Sequence, residues 1–422
     1  GPVHLDVPFR KPLEPNVDAG AVPDGVPDGT IPEGFDAPDL PATAGRAGPF
    51  VETTRGRMRL SRADRRALAD AVENADRGLI VCGPADRAAP DRDALVSLAR
   101  ESGFPVVADP LSGHRFGPHV DEISVCGGYD GYLSAIESAP DVVIRFGASP
   151  TSKTLRNYLR DGEPRQFVVD PAGGWREATF SATDLVVADE TELATDLAAA
   201  VDRPAGGYAS TLEDVEAEYW RLVDGNEPPE GAVLADAAEL APDPSTLFVS
   251  NSMPVRDLDR FGRPRASRLT VLGNRGASGI DGIESTALGA GYGADDPLIL
   301  VTGDLAYYHD MNGLLAVARA GVDATIVCVN NDGGGIFRLL PIEGHETFEE
   351  WFRTPHGLDF EHSAALYDLE FARTDDRGRF RELYADSVES DGTQVIEFVT
   401  DGERNHGERR RLERAILDRI DA

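Results

Sequence analysis

Lysine is almost missing from this chain. Of its 41 basic residues only Lys11 and Lys153 are lysines; the other 39 are arginines, set against 74 acids. The net charge of −33 argues against a nucleic-acid partner, whose phosphates would be repelled. It leaves small anionic metabolites open, because local cations override the global sign. Dense Asp and Glu with so little Lys is the habit of a halophilic protein, kept soluble where salt screens repulsion to about 3 Å at 1 M. Cysteine is scarce, and Cys82, Cys126 and Cys328 form no CxxC pair. Two of them sit in apolar runs, so buried, reduced thiols are expected. No apolar run approaches the roughly 18 residues of a membrane span, and no signal peptide is visible, so no membrane partner and a cytoplasmic setting are expected.

Two other signals are missing. The stretch 127-GGYDG-131 is glycine-rich but lacks the GxGxxG register, and reads as a turn rather than a dinucleotide site. The eight histidines, including His114, His119 and His309, show no metal spacing and read as surface groups or local hydrogen-bond partners. The first residue is Gly1, not Met, which reads as processing or as a piece of something longer.

The 422 residues, 41% hydrophobic, suggest about three domains with real cores. Residues 1–11 read as a terminal strand and its exit, belonging to a domain mostly upstream. Residues 12–57 read as a linker, with the doublet 22-VPDG-25 and 26-VPDG-29 supplying turn chemistry. A helix is expected over 61–75, capped by Ser61. Apolar runs at 79–82, 105–108, 142–146, 167–169 and 185–188 then alternate with helical patterns, giving a central α/β domain over 58–205. A second series over 206–422 has strand runs at 246–250, 269–272, 298–301, 324–329 and 395–399. Its helix at 211–223 reads as an acidic, solvated face, and a last helix is expected over 407–420. Short β-branched runs alternating with helices mean parallel sheets covered on both faces. The fold class is therefore α/β, with two doubly wound parallel-sheet domains.

The chemistry concentrates in 298-LILVTGDLAYYHDMNGLLAVARAGVDATIVCVNNDGGGIF-337. Strands at 298–301 and 324–329 flank a helix expected from about Asp310 to Gly321. A right-handed β-α-β crossover makes such strands parallel, so Asp304 and Asn331 leave the sheet on the same carboxyl rim, where open α/β sheets bind ligands. A carboxylate, an amide oxygen and free backbone carbonyls are hard donors suited to Mg²⁺. Glycines 333–335 let a polyphosphate approach the backbone. The rim reads as built for a metal-bridged diphosphate.

Gly303-Asp304 followed 27 residues later by Asn331 and then glycines resembles the thiamine-diphosphate motif, with Leu305 where many such enzymes have glycine. Together with 274-NRGASGIDGIEST-286, 250-SNSMPVRDLD-259, 147-GASPTSKTL-155 and the opening GPVHLDVPF, it resembles the MenD branch of that family, the 2-succinyl-5-enolpyruvyl-6-hydroxy-3-cyclohexene-1-carboxylate synthases. The resemblance implies thiamine diphosphate with Mg²⁺ or Mn²⁺, the metal held by Asp304, Asn331 and Gly333. It implies cofactor contacts from Gly303, Leu305, Gly334, Ser278, Gly279, Ile280 and Ile336, with Ile280 holding the cofactor bent. It implies decarboxylation of 2-oxoglutarate and carboligation to isochorismate, with Arg256, Arg275, Lys153 and Ser252 meeting substrate. It also implies an amino-terminal pyrimidine-binding domain carrying a catalytic Glu outside these residues, so that the chain alone would be inactive. A homodimer or homotetramer sharing the active site with that domain is implied for the complete protein. Two alternatives stay open at this point. One is an acetolactate synthase or 2-oxoacid decarboxylase. The other is a non-catalytic diphosphate-binding subunit completed by a partner.

Overall fold

Among the described residues twelve strands form two six-stranded sheets in which every neighbouring pair is parallel. The first contains β1 (Gly78–Cys82), β2 (Val106–Ala108), β3 (Val125–Cys126), β4 (Val142–Phe146), β5 (Arg165–Val169) and β6 (Asp184–Val186), in the order β3-β2-β1-β4-β5-β6. The second contains β7 (Ser245–Val249), β8 (Leu269–Leu272), β9 (Leu298–Gly303), β10 (Ala324–Asn330), β11 (Glu370–Thr374) and β12 (Thr393–Val399), in the order β11-β12-β10-β9-β7-β8. Central strands such as β1, β4, β7 and β10 are buried along their whole length, as sheets covered on both faces require. In this computed structural model the described residues are Asp6, 51–54 and 56–420. The expected terminal strand and almost all of the linker lie outside them. Gly1–Gly56 and Arg57–Ala422 separate as two units, and both sheets belong to the second.

Local rules account for several boundaries. The helix Arg62–Glu73 begins where Ser61 accepts a hydrogen bond from the Asp64 amide. Asp91, Ser152 and Asp189 cap the helices Arg92–Ser102, Lys153–Asp161 and Glu190–Ala198 in the same way. All three cysteines are buried and free, as expected.

Other boundaries differ from the sequence reading. The strands β3 and β11 were not expected; the first has two residues, and the second is a half-buried edge with little apolar content. The closing helix runs Gly402–Ile420, starting five residues earlier. The helix Gly207–Val223 is not simply a solvated face, because Tyr208, Leu212, Tyr219, Trp220 and Val223 pack against the first sheet's core. Its Glu216 carboxylate accepts from the Gly127 amide at 2.7 Å and the Gly128 amide at 3.0 Å. The glycine stretch does follow a strand and open a short helix, Tyr129–Tyr132, but its amides are already occupied by Glu216.

One buried side chain joins the two halves of this unit. The Arg115 guanidinium is fully buried. It donates to the carbonyls of Ala108 and Gly127 on one side, and on the other to those of Asp259 and Gly262 and to Asp259 Oδ1 at 2.9 Å. A guanidinium away from water persists only with such complete pairing, and removing one partner strands the other. We expect Arg115→Ala to lower the unfolding free energy by about 3–5 kcal/mol, measured by denaturant titration in molar KCl. A conserved midpoint would show that the clamp is dispensable.

Candidate active site

The carboxyl rims of both sheets wall a single cavity of about 1300 Å³. The strand order reverses between β1 and β4 in the first sheet and between β7 and β9 in the second, and the cavity lies against both of these reversals. From the first sheet come Pro84–Asp86 after β1 and Ala148–Thr151 after β4; from the second come the segments after β7, β8, β9 and β10. Such switch points are where open α/β sheets leave a crevice for ligands.

At the tip of β9, Gly303 is the cap and Asp304 the first residue of a helix, Asp304–Asp310. The helix thus starts six residues before the expected point. It continues through a tighter turn, Met311–Leu314, into Leu315–Ala320. The Asp304 carboxylate is buried. Its Oδ1 accepts from the Leu305 amide at 2.7 Å, and its Oδ2 accepts from the Gly333 amide at 2.9 Å and faces His356 Nε2 at 3.1 Å. That bond to Asp304 is the main reason the His356 imidazole titrates above its ordinary range.

At the tip of β10, the Asn331 amide is divided. Its Nδ2 donates to Glu230 Oε1 at 3.1 Å, while its Oδ1 is buried without a partner. A buried carbonyl oxygen left unpaired costs about 1–3 kcal/mol, so this atom is a place for a donor or a cation. Burial, then the neighbouring Asp257, pushes Glu230 up to about 8.

The glycine loop follows. Gly333 has φ +143°, and a Cβ there would stand 2.1 Å from the Arg353 carbonyl oxygen, so no side chain fits. The Gly334 amide donates to the same carbonyl at 2.7 Å. Asp332, at φ +59°, accepts from the amides of His356 and Gly357 and from Arg353. Burial alone would raise its pKa, but these donors hold it below the usual carboxylate range. The loop is therefore pinned to residues 353–357 from both sides.

The donor set fits a hard divalent cation. Among the described residues no three His, Cys, Asp or Glu side chains cluster to hold a metal. One carboxylate, one amide oxygen and loop carbonyls suit Mg²⁺ or Mn²⁺, which complete an octahedron with phosphate oxygens and water.

Cations line the remaining wall. Arg156, Arg176, Arg256 and Arg275 all border the cavity, and among the described residues none is paired with a carboxylate. Burial, then Arg275 and Arg156, lowers the pKa of Arg256, which places these guanidiniums close enough to repel. Arg256 Nη1 donates to the Ser252 carbonyl at 2.6 Å. Ser252 itself has φ +72°, a strained conformation for a non-glycine residue, at the start of the helix Met253–Phe261.

Most of the expected site residues border this cavity: Ser252, Ser278, Ile280, Gly303, Leu305 and Ile336, besides those described above. Ile280 is half-buried and packs on the cluster containing Phe248, Ile283 and Leu300. Two are not in the wall. Gly279 is exposed beside it, and Lys153 is the exposed first residue of its helix, whereas Arg156 one turn later reaches the cavity. His309 is exposed and also outside it. Glu230, Arg156 and His356 were missed, since nothing local in the sequence ties positions 101 or 52 residues apart.

Residues 268–398 match the thiamine pyrophosphate enzyme family's C-terminal TPP-binding domain. The chain is 68% identical over 420 residues to the 2-succinyl-5-enolpyruvyl-6-hydroxy-3-cyclohexene-1-carboxylate synthase of Natronomonas pharaonis, covering 100% of this chain and 72% of that protein. Identity to the synthase of Haloarcula marismortui is 55%, with the same coverage, and to that of a Roseiflexus species 42%, over 98% of this chain and 70% of that protein. Among solved structures, a thiamine diphosphate-dependent 4-hydroxybenzoylformate decarboxylase of Rhodococcus jostii superposes with a TM-score of 0.60 at 18% identity, over 83% of this chain and 66% of that one, a likeness of fold alone. With 72% of a relative's length matched at 68% identity, the chain belongs to the family of 2-succinyl-5-enolpyruvyl-6-hydroxy-3-cyclohexene-1-carboxylate synthases.

Proposed function

We propose that this chain holds thiamine diphosphate through a divalent metal and uses it to decarboxylate 2-oxoglutarate and join the remaining four-carbon unit to isochorismate, a step of menaquinone biosynthesis. The observation that carries this reading is the buried, unpartnered Asn331 Oδ1 beside the buried Asp304 carboxylate, on neighbouring parallel strand tips. The bound cofactor supplies the electron sink for loss of CO₂. The protein's own part is binding, orientation and charge.

Asp304, Asn331 Oδ1 and the Gly333 carbonyl hold Mg²⁺ or Mn²⁺, and Gly303, Leu305, Gly334 and Ile336 border the diphosphate. Ile280, with Ser278 and Gly279 in its loop, supports the cofactor's rings. Both substrates are dicarboxylates, and planar guanidiniums grip carboxylates by paired hydrogen bonds. Arg256 and Arg275 serve this purpose with Ser252, Arg156 adds a cation from the first sheet, and Lys153, two residues beyond the cavity-lining Thr151, is the remaining candidate. Residues 58–205 and 206–422 serve as central and diphosphate-binding domains. A homodimer or homotetramer and a cytoplasmic setting accompany this reading; light scattering in molar KCl tests the first.

The direct test offers isochorismate with 2-oxoglutarate, against pyruvate alone, to the protein loaded with thiamine diphosphate and Mg²⁺. With the amino-terminal pyrimidine-binding domain supplied, consumption of isochorismate dependent on 2-oxoglutarate is expected, and none from residues 1–422 alone; turnover of pyruvate alone would point to another thiamine enzyme. Asp304→Ala and Asn331→Ala should each abolish saturable thiamine diphosphate binding at millimolar Mg²⁺, followed calorimetrically, with circular dichroism unchanged. Arg256→Leu should lower kcat/KM for the carboxylate substrates by about 10–100-fold, the loss of one charged hydrogen bond. An unchanged kcat/KM would remove Arg256 from the substrate wall.

A further inference from the structure

Asn331 can ligate a cation only through Oδ1. The two ends of its amide are nearly the same shape, and a half-turn about the last side-chain bond exchanges them. An amide free to turn would present NH₂, a donor, to the metal for part of the time. Something must therefore hold it.

Glu230 holds it. Glu230 is buried, borders the cavity, and takes the Asn331 Nδ2 hydrogen bond at 3.1 Å. A carboxyl group keeps an acceptor oxygen for this bond whether or not it carries a proton. With Nδ2 committed, Oδ1 falls at the opposite end, where it is buried and unpartnered. Gly335 leaves room for that arrangement, since a Cβ there would lie 2.7 Å from Asn331 Nδ2. Glu230 is itself fixed. It stands in the first turn of the helix Pro229–Glu239, and its amide donates at 3.0 Å to the side-chain oxygen of Asn405. Asn405 is buried in the closing helix Gly402–Ile420.

We propose that Glu230 is a positioning residue of the metal site, fixing the Asn331 amide so that its oxygen meets the cation. The inference rests on the metal-diphosphate reading above and adds to it a residue on a different element. Groups that orient a metal ligand in this way are commonly worth 10–100-fold in metal affinity.

The test measures free Mn²⁺ by electron paramagnetic resonance while the protein is titrated with Mn²⁺ at saturating thiamine diphosphate in molar KCl. No substrate is added, and circular dichroism checks the fold. Glu230→Met keeps the bulk and removes the acceptor, and should weaken Mn²⁺ binding by about 10–100-fold. Glu230→Gln keeps an acceptor oxygen without the charge, and should stay close to wild type. Wild-type affinity in Glu230→Met would overturn the proposal. So would a Glu230→Gln variant as weak as Glu230→Met, because charge rather than orientation would then be at work. A wild-type protein that binds no Mn²⁺ with thiamine diphosphate would sink the functional reading first, and is distinguishable from both.

Discussion

The register of β9 against β10 decides where the binding groups fall. Gly303 pairs with Val329, so Asp304 stands level with Asn330, the last residue of β10, and Asn331 follows one residue on at the same rim. Side chains alternate faces along a strand, so slipping this pairing by one residue would send one tip's polar group into the wrong layer. The register is protected by burial on both faces. Ile299 and Val301 pack with Val327 and Val329 on one side, while Leu298 and Leu300 pack with Ile326 and Cys328 on the other. The site is thus fixed by apolar packing that touches no ligand.

The second constraint is electrostatic. A chain of net charge −33 keeps four guanidiniums around one cavity without carboxylate partners among the described residues. Elsewhere its arginines are extensively paired, from the buried Arg115–Asp259 and Arg409–Asp257 contacts to the part-exposed Arg377 and Arg381, which converge on the buried Asp236. Acids do border the cavity, but Glu177 pairs with Arg145, Asp257 with Arg409 and Asp304 with the Gly333 amide, which leaves these four guanidiniums with donors open to an anion. High salt weakens exposed pairs far more than desolvated ones, so partial burial matters for Arg256 in a protein suited to molar salt. The single lysine near this wall, Lys153, is exposed, where screening is strongest.

Much of the layout was legible beforehand, because it depends on local pattern. Continuous β-branched runs marked ten of the twelve strands, and strand polarity alone put Asp304 and Asn331 on one rim. What was illegible depends on long-range pairing. Nothing in the sequence marked Glu230, and only the fold brings it to Asn331. Arg156 and Lys153 sit one turn apart, and helix rotation rather than residue type decides which meets the cavity. The helix Gly207–Val223 misled for a related reason: its many acids hid the fact that Glu216 is spent on the Gly127 and Gly128 amides. The helix start at Asp304 was missed because its cap, Gly303, offers no side-chain signal.

Ser252 shows how these constraints meet. A non-glycine residue at φ +72° stores of order 1–3 kcal/mol and persists only where its surroundings over-determine it. Here the following helix is anchored by Val255 and Leu258 in the sheet core, and Arg256 closes back onto the Ser252 carbonyl at 2.6 Å. The Arg256 guanidinium thus also braces the strained turn that carries it, using one donor for the backbone and keeping the others without a carboxylate partner among the described residues. Arg275 is differently placed, on an exposed loop and tied only to Asn251 Oδ1 at 3.4 Å. The two arginines therefore differ in kind: Arg256 is preorganised by the fold, whereas Arg275 would give up conformational freedom on gripping an anion.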